Sequence, residues 1–326
     1  MSPLHLRRTR EMSQPLVLVT GAGGFVGSSL VPALQRAGMR VLATSRSTTR
    51  PIPAQCERIV WTPGQDTSAL RTGTRGVTAV VHLAARVHVM DESSSDPTSA
   101  YTAANVDATL ELARAAAASG VRRFVFVSSV KVFGESGHFP ESAAPQPRDP
   151  YGRSKLQAEE QLKTFCESQG MDLTVVRPPL VYGPGVRANF AALLRLVSRG
   201  WPLPFGGIHN LRSYVGVDNF SDAIRAILLH PAALNATFTI TDGVDLSTPA
   251  LLRHMAEAMS RRIVLLPVPT TILLGAGKLT GQAAVLQRLL GSLTFESSLI
   301  RKELDWSPPL SIAEGMRRTV ACMHAA

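Results

Sequence analysis

Short runs of apolar, often β-branched residues recur along the first 180 positions, separated by longer amphipathic stretches. "PLVLVT" reads as a first strand and "RVLAT" as a second, followed by "TAVVHLAA", "RRFVFVSS" and "DLTVVRP". Runs that are apolar at nearly every position belong to parallel strands covered on both faces. Between them lie helix candidates, "SSLVPALQRAG", "ATLELARAAAASG" and "SKLQAEEQLKTFCESQG", closed in turn by Gly38, Gly120 and Gly170. A glycine just past the last helical residue is the expected stop signal. This alternation predicts an α/β chain with a doubly wound parallel sheet over residues 15–180.

After residue 180 the rhythm breaks, and Pro and Gly cluster in "RPPLVYGPG" and "GWPLPFGGIHN". "LSTPALLRHMAEAM" predicts a helix with Thr248 as N-cap and Pro249 in the first turn. Residues 181–326 are expected to form mainly a smaller substrate lobe over the carboxyl ends of the strands, with some segments returning to the sheet. "MSPLHLRRTREMSQ", residues 1–14, lacks the apolar stretch of a signal peptide and reads as a flexible basic tail. "TILLGAGKLTGQAAVLQRLLGSL", residues 271–293, is hydrophobic, but Lys278, Gln282, Gln287 and Arg288 interrupt it. It is too polar for stable membrane insertion, which leaves open a surface contact with a membrane or a partner.

Composition refines this picture in two places. The 326 residues carry a net charge of +10, supplied mostly by scattered Arg rather than by basic blocks. That pattern argues against nucleic acid and for solvated surface plus a site for anionic ligands. The three cysteines are odd in number and widely spaced, which fits a reducing cytoplasm, and the eight histidines form no metal-binding motif.

The chemistry begins at "TGAGGFVGSSL". Gly21, Gly24 and Gly27 lie between a strand and a helix, where glycines admit a pyrophosphate against the backbone and the helix N-terminus. In an NAD site the second strand ends in a carboxylate that holds the adenine ribose; here it ends in Ser45-Arg46, with Arg50 nearby. A hydroxyl beside a guanidinium favours a 2′-phosphate, so NADP(H) is favoured and NAD(H) is the alternative. Farther on, Ser128-Ser129 closes a strand, and "YGRSK" places Tyr151 and Lys155 one turn apart on a helix. A phenol does acid-base work near neutral pH when a cation lowers its pKa, the role read for Lys155, while Ser129 can hydrogen-bond a substrate oxygen.

These motifs, with "HLAA", "NVDATLELARAA", "FVFVSSVKVFGE", "VVRPPLVYGPG" and "RSYVGVDNFSDAI", resemble the extended short-chain dehydrogenase/reductases, of the nucleotide-sugar epimerase/dehydratase/reductase group. The resemblance covers Pro15 to about Trp306 and implies a Rossmann domain with Ser129, Tyr151 and Lys155 as the catalytic set. It implies that Gly21, Gly24, Phe25, Val26, Gly27, Leu83, Ala84, Ala85 and Pro178 line the cofactor, with Ser45, Arg46, Tyr151 and Lys155. Asn105 would order the active site, and Asn189 and Arg212 would grip the diphosphate of a UDP-sugar. Arg86 and His88 fall in a loop that can touch the sugar, and Ser129 and Tyr151 would also contact the substrate. Lys131 reads either as a contact to sugar or cofactor or as a solvated lysine. His82 reads as a structural hydrogen-bonder, and a homodimer through a four-helix bundle is implied.

Departures from the group's pattern sort the activities. The 4,6-dehydratases place Asp-Glu after the strand-end hydroxyl residue, where this chain has Val130-Lys131. The loop that usually offers an Asp to the adenine is altered to "VWTPGQDTSAL", with Asp66 as its candidate. "HLAARVHVMDE", "SSVKVFGE" and "RPPLVYGPGVRANF" are most similar to bacterial 4-reductases of UDP-2-acetamido-2,6-dideoxy-4-hexuloses, which act in surface-polysaccharide synthesis. The expectation is therefore an NADPH-dependent C4 reductase. Its rivals are an NAD-retaining UDP-hexose or UDP-N-acetylhexosamine 4-epimerase, an NADPH reductase of small carbonyls, and a non-catalytic nucleotide-sensing protein.

Overall fold

The computed structural model describes residues 14–49, 51–87 and 96–323. The chain opens with β1 (Leu16–Thr20), α1 (Phe25–Arg36), β2 (Arg40–Ser45), β3 (Glu57–Val60), α2 (Ser68–Gly73) and β4 (Ala79–His82). Then come α3 (Pro97–Thr102), α4 (Ala108–Ala118), β5 (Arg123–Val127), β6 (Gly137–Phe139), α5 (Pro150–Gln169), β7 (Asp172–Arg177) and β8 (Leu180–Tyr182). The second half contains α6 (Ala188–Ser198), β9 (Tyr214–Gly216), α7 (Val217–Leu229), β10 (Thr237–Thr239), α8 (Thr248–Ala258) and α9 (Thr270–Leu279). It ends with α10 (Ala283–Leu290), β11 (Leu293–Phe295), α11 (Leu299–Leu304) and α12 (Ile312–Ala321).

Seven parallel strands form the central sheet in the order β10-β7-β5-β4-β1-β2-β3. Successive residues of a strand face opposite sides, so each strand feeds two cores. Val17, Val19, Val41, Val81 and Val125 point to the layer of α1, α7 and α11, with Leu34, Ile224 and Trp306. Leu18, Leu42, Val80, Phe124 and Phe126 point to the layer of α4 and α5, with Leu112, Ala116 and Leu162. Strands buried on both faces need apolar residues at every position, which is why they stand out as continuous runs.

Two edge strands, β3 and β10, escaped the sequence reading. β3 is "ERIV", with charged residues on an edge that leaves one side unpaired, and β10 is three residues long. One local expectation is also corrected, and one hydrophobic segment is divided between two helices. Ser247, not Thr248, caps α8, its hydroxyl accepting from the Ala250 N–H, while the Thr248 N–H donates to Asn210 Oδ1 at 2.9 Å. The hydrophobic stretch 271–293 is not continuous: Gly281, at φ +71°, turns α9 into α10.

The lobe has its own core, in which Phe190 and Leu194 of α6 meet Leu251, Leu252 and Met255 of α8 and Met316 of α12. α7, β10 and α11 return to the sheet and close its first layer. The loops at the carboxyl ends of β1, β4, β5 and β7 thereby converge on one side of the molecule.

Candidate active site

β1 delivers the chain into the glycine turn. Gly21 takes φ +68°, and the Gly24 N–H closes the turn on the Gly21 carbonyl at 2.9 Å. A Cβ on Gly27 would stand 2.3 Å from the Gly21 oxygen and 2.6 Å from Ala22 Cα. A Cβ on Gly21 would stand 3.0 Å from the Ala84 nitrogen, because Leu83–Ala85 run directly past the turn. That passage is fixed by Thr20, whose Oγ1 accepts from the Ala84 N–H at 3.1 Å. The sequence reading missed Gly23, where a Cβ would meet the Pro51 carbonyl at 2.4 Å. Phe25 and Val26 form the first turn of α1, which has Gly24 as N-cap, no capping side chain and no acid in its first turn. Its N–H groups are left for an anion. Gly27→Ala is expected to weaken dinucleotide binding by roughly ten-fold or more through overpacking, measured by fluorescence titration with NAD(P)H.

At the end of β2, Ser45 is buried, and its hydroxyl donates to the Ser47 carbonyl at 2.8 Å. Arg46 beside it is exposed. Arg58, which the sequence reading did not single out, pairs in register with Ala43 and donates to the Ser47 carbonyl at 2.9 Å and to the Thr48 carbonyl. The turn is therefore held by one arginine and presents another. Asp66 accepts from the Ser68 N–H at 2.9 Å and from the Ser68 hydroxyl, bonds that hold its exposed carboxyl below the usual range. The acid that grips the 61–66 loop is Glu111 of α4, which accepts from Trp61 Nε1 at 2.9 Å and from the Gly64 N–H at 2.8 Å. Arg50 and His88 lie outside the described residues.

The chemistry-bearing side chains meet beyond β5. The Ser128 N–H donates to the Val176 carbonyl at 2.8 Å and the Val130 N–H to the Pro178 carbonyl at 3.2 Å, tying together the exits of neighbouring strands. Ser129 then caps a short turn, its Oγ accepting from the Lys131 N–H at 3.2 Å. Asp149 caps α5 by accepting from the Gly152 N–H at 2.6 Å, and Pro150 occupies the first turn. This start places Tyr151 against Ser129 and Lys155 one turn deeper.

Tyr151 is hydrogen-bonded to Ser129 and packs edge-on against Tyr101, with 6.1 Å between ring centroids. Burial pushes its phenol up to about 12; the Ser129 bond works against that shift, and Asp149 and Tyr101 add to it. Burial thus opposes the lowering expected from the Tyr-Lys spacing, and Lys155 is not among the groups that shift this phenol. The Lys155 ammonium lies 4.2 Å from the centroid of the Phe126 ring, and burial pushes it down to about 7, partly offset by Glu159. Glu159, one turn farther along α5, grips the largely buried Arg177 through Nε at 3.1 Å and also through Nη2. The Arg177 guanidinium lies 4.9 Å from the Phe133 ring centroid.

Lys131 is not simply a solvated lysine. Its ammonium pairs with Asp149 at 3.0 Å and Glu135 at 2.7 Å, securing the N-cap of α5. A Cβ on Gly152 would stand 2.6 Å from the Lys131 carbonyl, so the helix start and this turn are in close approach. Asn105 lies in a π-helical turn, Ala103–Asp107, between α3 and α4. Its Oδ1 accepts from the Arg86 N–H at 2.7 Å, and its Nδ2 donates to the Arg86 carbonyl at 3.0 Å and to Ser154 Oγ at 2.9 Å. It thereby clamps the backbone of Arg86 onto the helix that carries Tyr151, and the Arg86 guanidinium lies 5.5 Å from the Tyr101 ring centroid. His82 is structural: its ring bonds Thr20 Oγ1 at 2.7 Å and Thr109 Oγ1 at 2.9 Å, and burial pushes its pKa down to about 3.

Asn189 and Arg212 lie on the lobe. Asn189 is exposed in the first turn of α6, next to Ala188 at φ +53°. Arg212 donates through Nη1 to the carbonyls of Arg288 at 2.7 Å and Gly291 at 3.0 Å, and it also bonds Tyr214. The end of α10 thus sets the direction of this guanidinium.

The residues on the sheet side fit a dinucleotide. The glycine turn is a cradle that a Cβ would fill, the first turn of α1 offers free donors, and the buried Ser128 hydroxyl has no partner among the described residues. Comparison with known proteins agrees. Residues 17–240 match the NAD dependent epimerase/dehydratase family. A UDP-glucose 4-epimerase from Vibrio cholerae is 38% identical over 93% of this chain and 94% of its own length. An N-acetyl-alpha-D-glucosaminyl-diphospho-ditrans,octacis-undecaprenol 4-epimerase from Escherichia coli O157:H7 is 29% identical, over 93% of this chain and 94% of its own. Among solved structures, a UDP-glucose 4-epimerase from Thermus thermophilus in complex with NAD shares the fold, with a TM-score of 0.74 at 24% identity over 95% of this chain and 99% of that one. With this glycine cradle, the Ser129–Tyr151–Lys155 cluster and these relatives, the chain belongs to the NAD dependent epimerase/dehydratase family, the extended short-chain dehydrogenase/reductases, and is an NAD(P)-dependent enzyme.

Proposed function

We propose that the protein reduces the C4 ketone of a UDP-4-keto-6-deoxy-N-acetylhexosamine with NADPH, in the making of surface-polysaccharide precursors. The observation that carries this reading is the ribose end of the cofactor cradle. Among the described residues β2 ends without a carboxylate and presents the exposed Arg46, on a turn held by Arg58. A guanidinium there favours a 2′-phosphate. A reductase exchanges its cofactor at every turnover, which suits the reduced NADP pool.

A reduced nicotinamide, when bound, supplies the hydride to C4. Tyr151 holds the proton given to the C4 oxygen, and its raised pKa keeps that proton in place at working pH. Ser129 orients the phenol and hydrogen-bonds the developing alkoxide. Lys155 holds the cofactor ribose, Gly21, Gly24 and Gly27 with the start of α1 receive the pyrophosphate, and Leu83–Ala85 and Pro178 wall the site. Arg212 and Asn189 take the substrate diphosphate, and the clamped Arg86 faces the sugar.

A second reading, an NAD-retaining 4-epimerase of a UDP-hexose or UDP-N-acetylhexosamine, is favoured by the name of the 38% identical Vibrio cholerae relative. Titration with NADPH and NADH, after acid release of any co-purified nucleotide, separates the two. The reductase reading expects exchangeable binding with an NADPH preference that Arg46→Ala reduces roughly ten-fold, NADH affinity being unchanged. Stoichiometric NAD that does not exchange would establish the epimerase instead.

A further inference from the structure

The hydrophobic segment 271–293 reaches the site described above at its far end, through the Arg288 and Gly291 carbonyls, and the placement of its first half is informative. Two long stretches of the chain, 173–217 and 258–295, contain no Asp or Glu. The fold lays them side by side. The Leu203 N–H donates to the Val264 carbonyl at 2.9 Å, the Leu266 N–H to the Leu203 carbonyl at 2.8 Å, and the Gly206 N–H to the Leu266 carbonyl at 2.9 Å. Leu203 turns inward, whereas Val264 and Leu266 turn out. Trp201 is 63% exposed at the start of this ladder, with the Arg199 guanidinium 5.6 Å from its ring centroid. The Arg261 guanidinium lies alongside Gly200.

α9 follows directly and has its apolar face outward. Leu273 and Gly277 are buried, but Ile272, Gly275, Ala276 and Leu279, spaced i, i+3, i+4 and i+7, are all exposed, Ile272 at 60% and Leu279 at 91%. An amphipathic helix normally buries such a stripe. Here the outer stripe carries no charge; Lys278 is exposed on the same helix, and Arg261 and Arg262 are exposed where the chain enters the ladder at Val264.

We infer that this face of the lobe docks on an anionic lipid bilayer, with Ile272, Leu279, Val264 and Leu266 entering the headgroup boundary and Arg199, Arg261, Arg262 and Lys278 meeting lipid phosphates. Charge complementarity selects this occupant. Although Glu257 is exposed just before the second stretch, the two stretches themselves offer no anionic group to a basic partner and disfavour a second copy, while apolar side chains accompanied by exposed cations match an interface that is apolar below and anionic above. Nucleic acid would use the cations but leave the aliphatic stripe without purpose. No described helix is long and apolar enough to cross a membrane, so the contact is peripheral. The docked face also adjoins the site, because the carbonyls of Arg288 and Gly291 at the end of α10 hold Arg212. The inference does not depend on which sugar reaction the site performs.

The test is co-sedimentation of the full chain with vesicles of equal phosphatidylglycerol and phosphatidylcholine, against pure phosphatidylcholine. Wild type is expected to bind the anionic vesicles at least roughly ten-fold more strongly, with loss at high salt. Ile272→Asp with Leu279→Asp, and separately Arg261→Glu with Arg262→Glu, are expected to lose that binding while keeping the melting temperature and NAD(P)H affinity. Absence of vesicle binding would overturn the inference, as would binding that survives the Asp pair. A concentration-dependent dimer abolished by the Asp pair, or tight binding of a single-stranded RNA 20-mer that the Asp pair retains, would assign the face to another occupant.

Discussion

Tyr151→Phe is expected to lower turnover by roughly three orders of magnitude while leaving NAD(P)H affinity within about two-fold. The substitution removes one oxygen from a ring packed against Tyr101, so the edge contact and the start of α5 remain. What disappears is the proton held next to Ser129. The phenol sits near 12 and Lys155 near 7, so the two groups separate in a pH series. The phenol stays protonated throughout the working range and contributes no limb to a reductive profile. Lys155 is charged below about 7 and neutral above it, and a neutral amine loses its pull on an anionic dinucleotide. The kcat/KM for NAD(P)H, which reports groups of the free enzyme, should therefore fall as pH rises through about 7. The same decline in cofactor affinity should persist in Tyr151→Phe and vanish in Lys155→Met. Full activity in Tyr151→Phe would remove this residue from the chemistry.

Glu159→Ala is expected to cost about 3–5 kcal/mol of stability, because it leaves the largely buried Arg177 guanidinium without its carboxylate. The pair is well shielded, with side-chain exposures of 7% for Glu159 and 11% for Arg177. For a chain of this length the loss corresponds to a fall of roughly 4–7 °C in melting temperature. Replacing both partners by Met tests the mechanism, since a buried ion pair exchanged for apolar side chains of similar volume is often neutral or stabilising. A double variant as unstable as the single would show that the carboxylate acts through something other than Arg177. Glu159 also supports the charge on Lys155, so its loss moves the pH limb below about 7.

Much of this was legible in the chain. Each buried strand had to be apolar on both faces, so β1, β2, β4, β5 and β7 declared themselves without knowledge of their neighbours. β3 and β10 did not, because an edge strand has looser requirements and three residues carry no period. The Tyr151–Lys155 spacing was readable since a helix fixes i, i+4 geometry locally. Glu159 continues the same spacing, but its partner Arg177 lies on a neighbouring strand, and no local pattern announces that pairing.

By itself, then, the amino-acid sequence determined the alternating α/β order, the glycine turn, the Tyr151–Lys155 spacing and the missing carboxylate after β2. All of these depend on contacts within a turn or two of the residue concerned. Tertiary structure alone decided that Lys131 pairs with Asp149, that Asn105 clamps Arg86, and that burial is the largest influence on the Tyr151 phenol. It also brought two acid-free stretches together into one apolar, cationic face. The reason is physical: desolvation and ion pairing depend on what surrounds a group in three dimensions, and distant segments supply those surroundings only after the chain has folded.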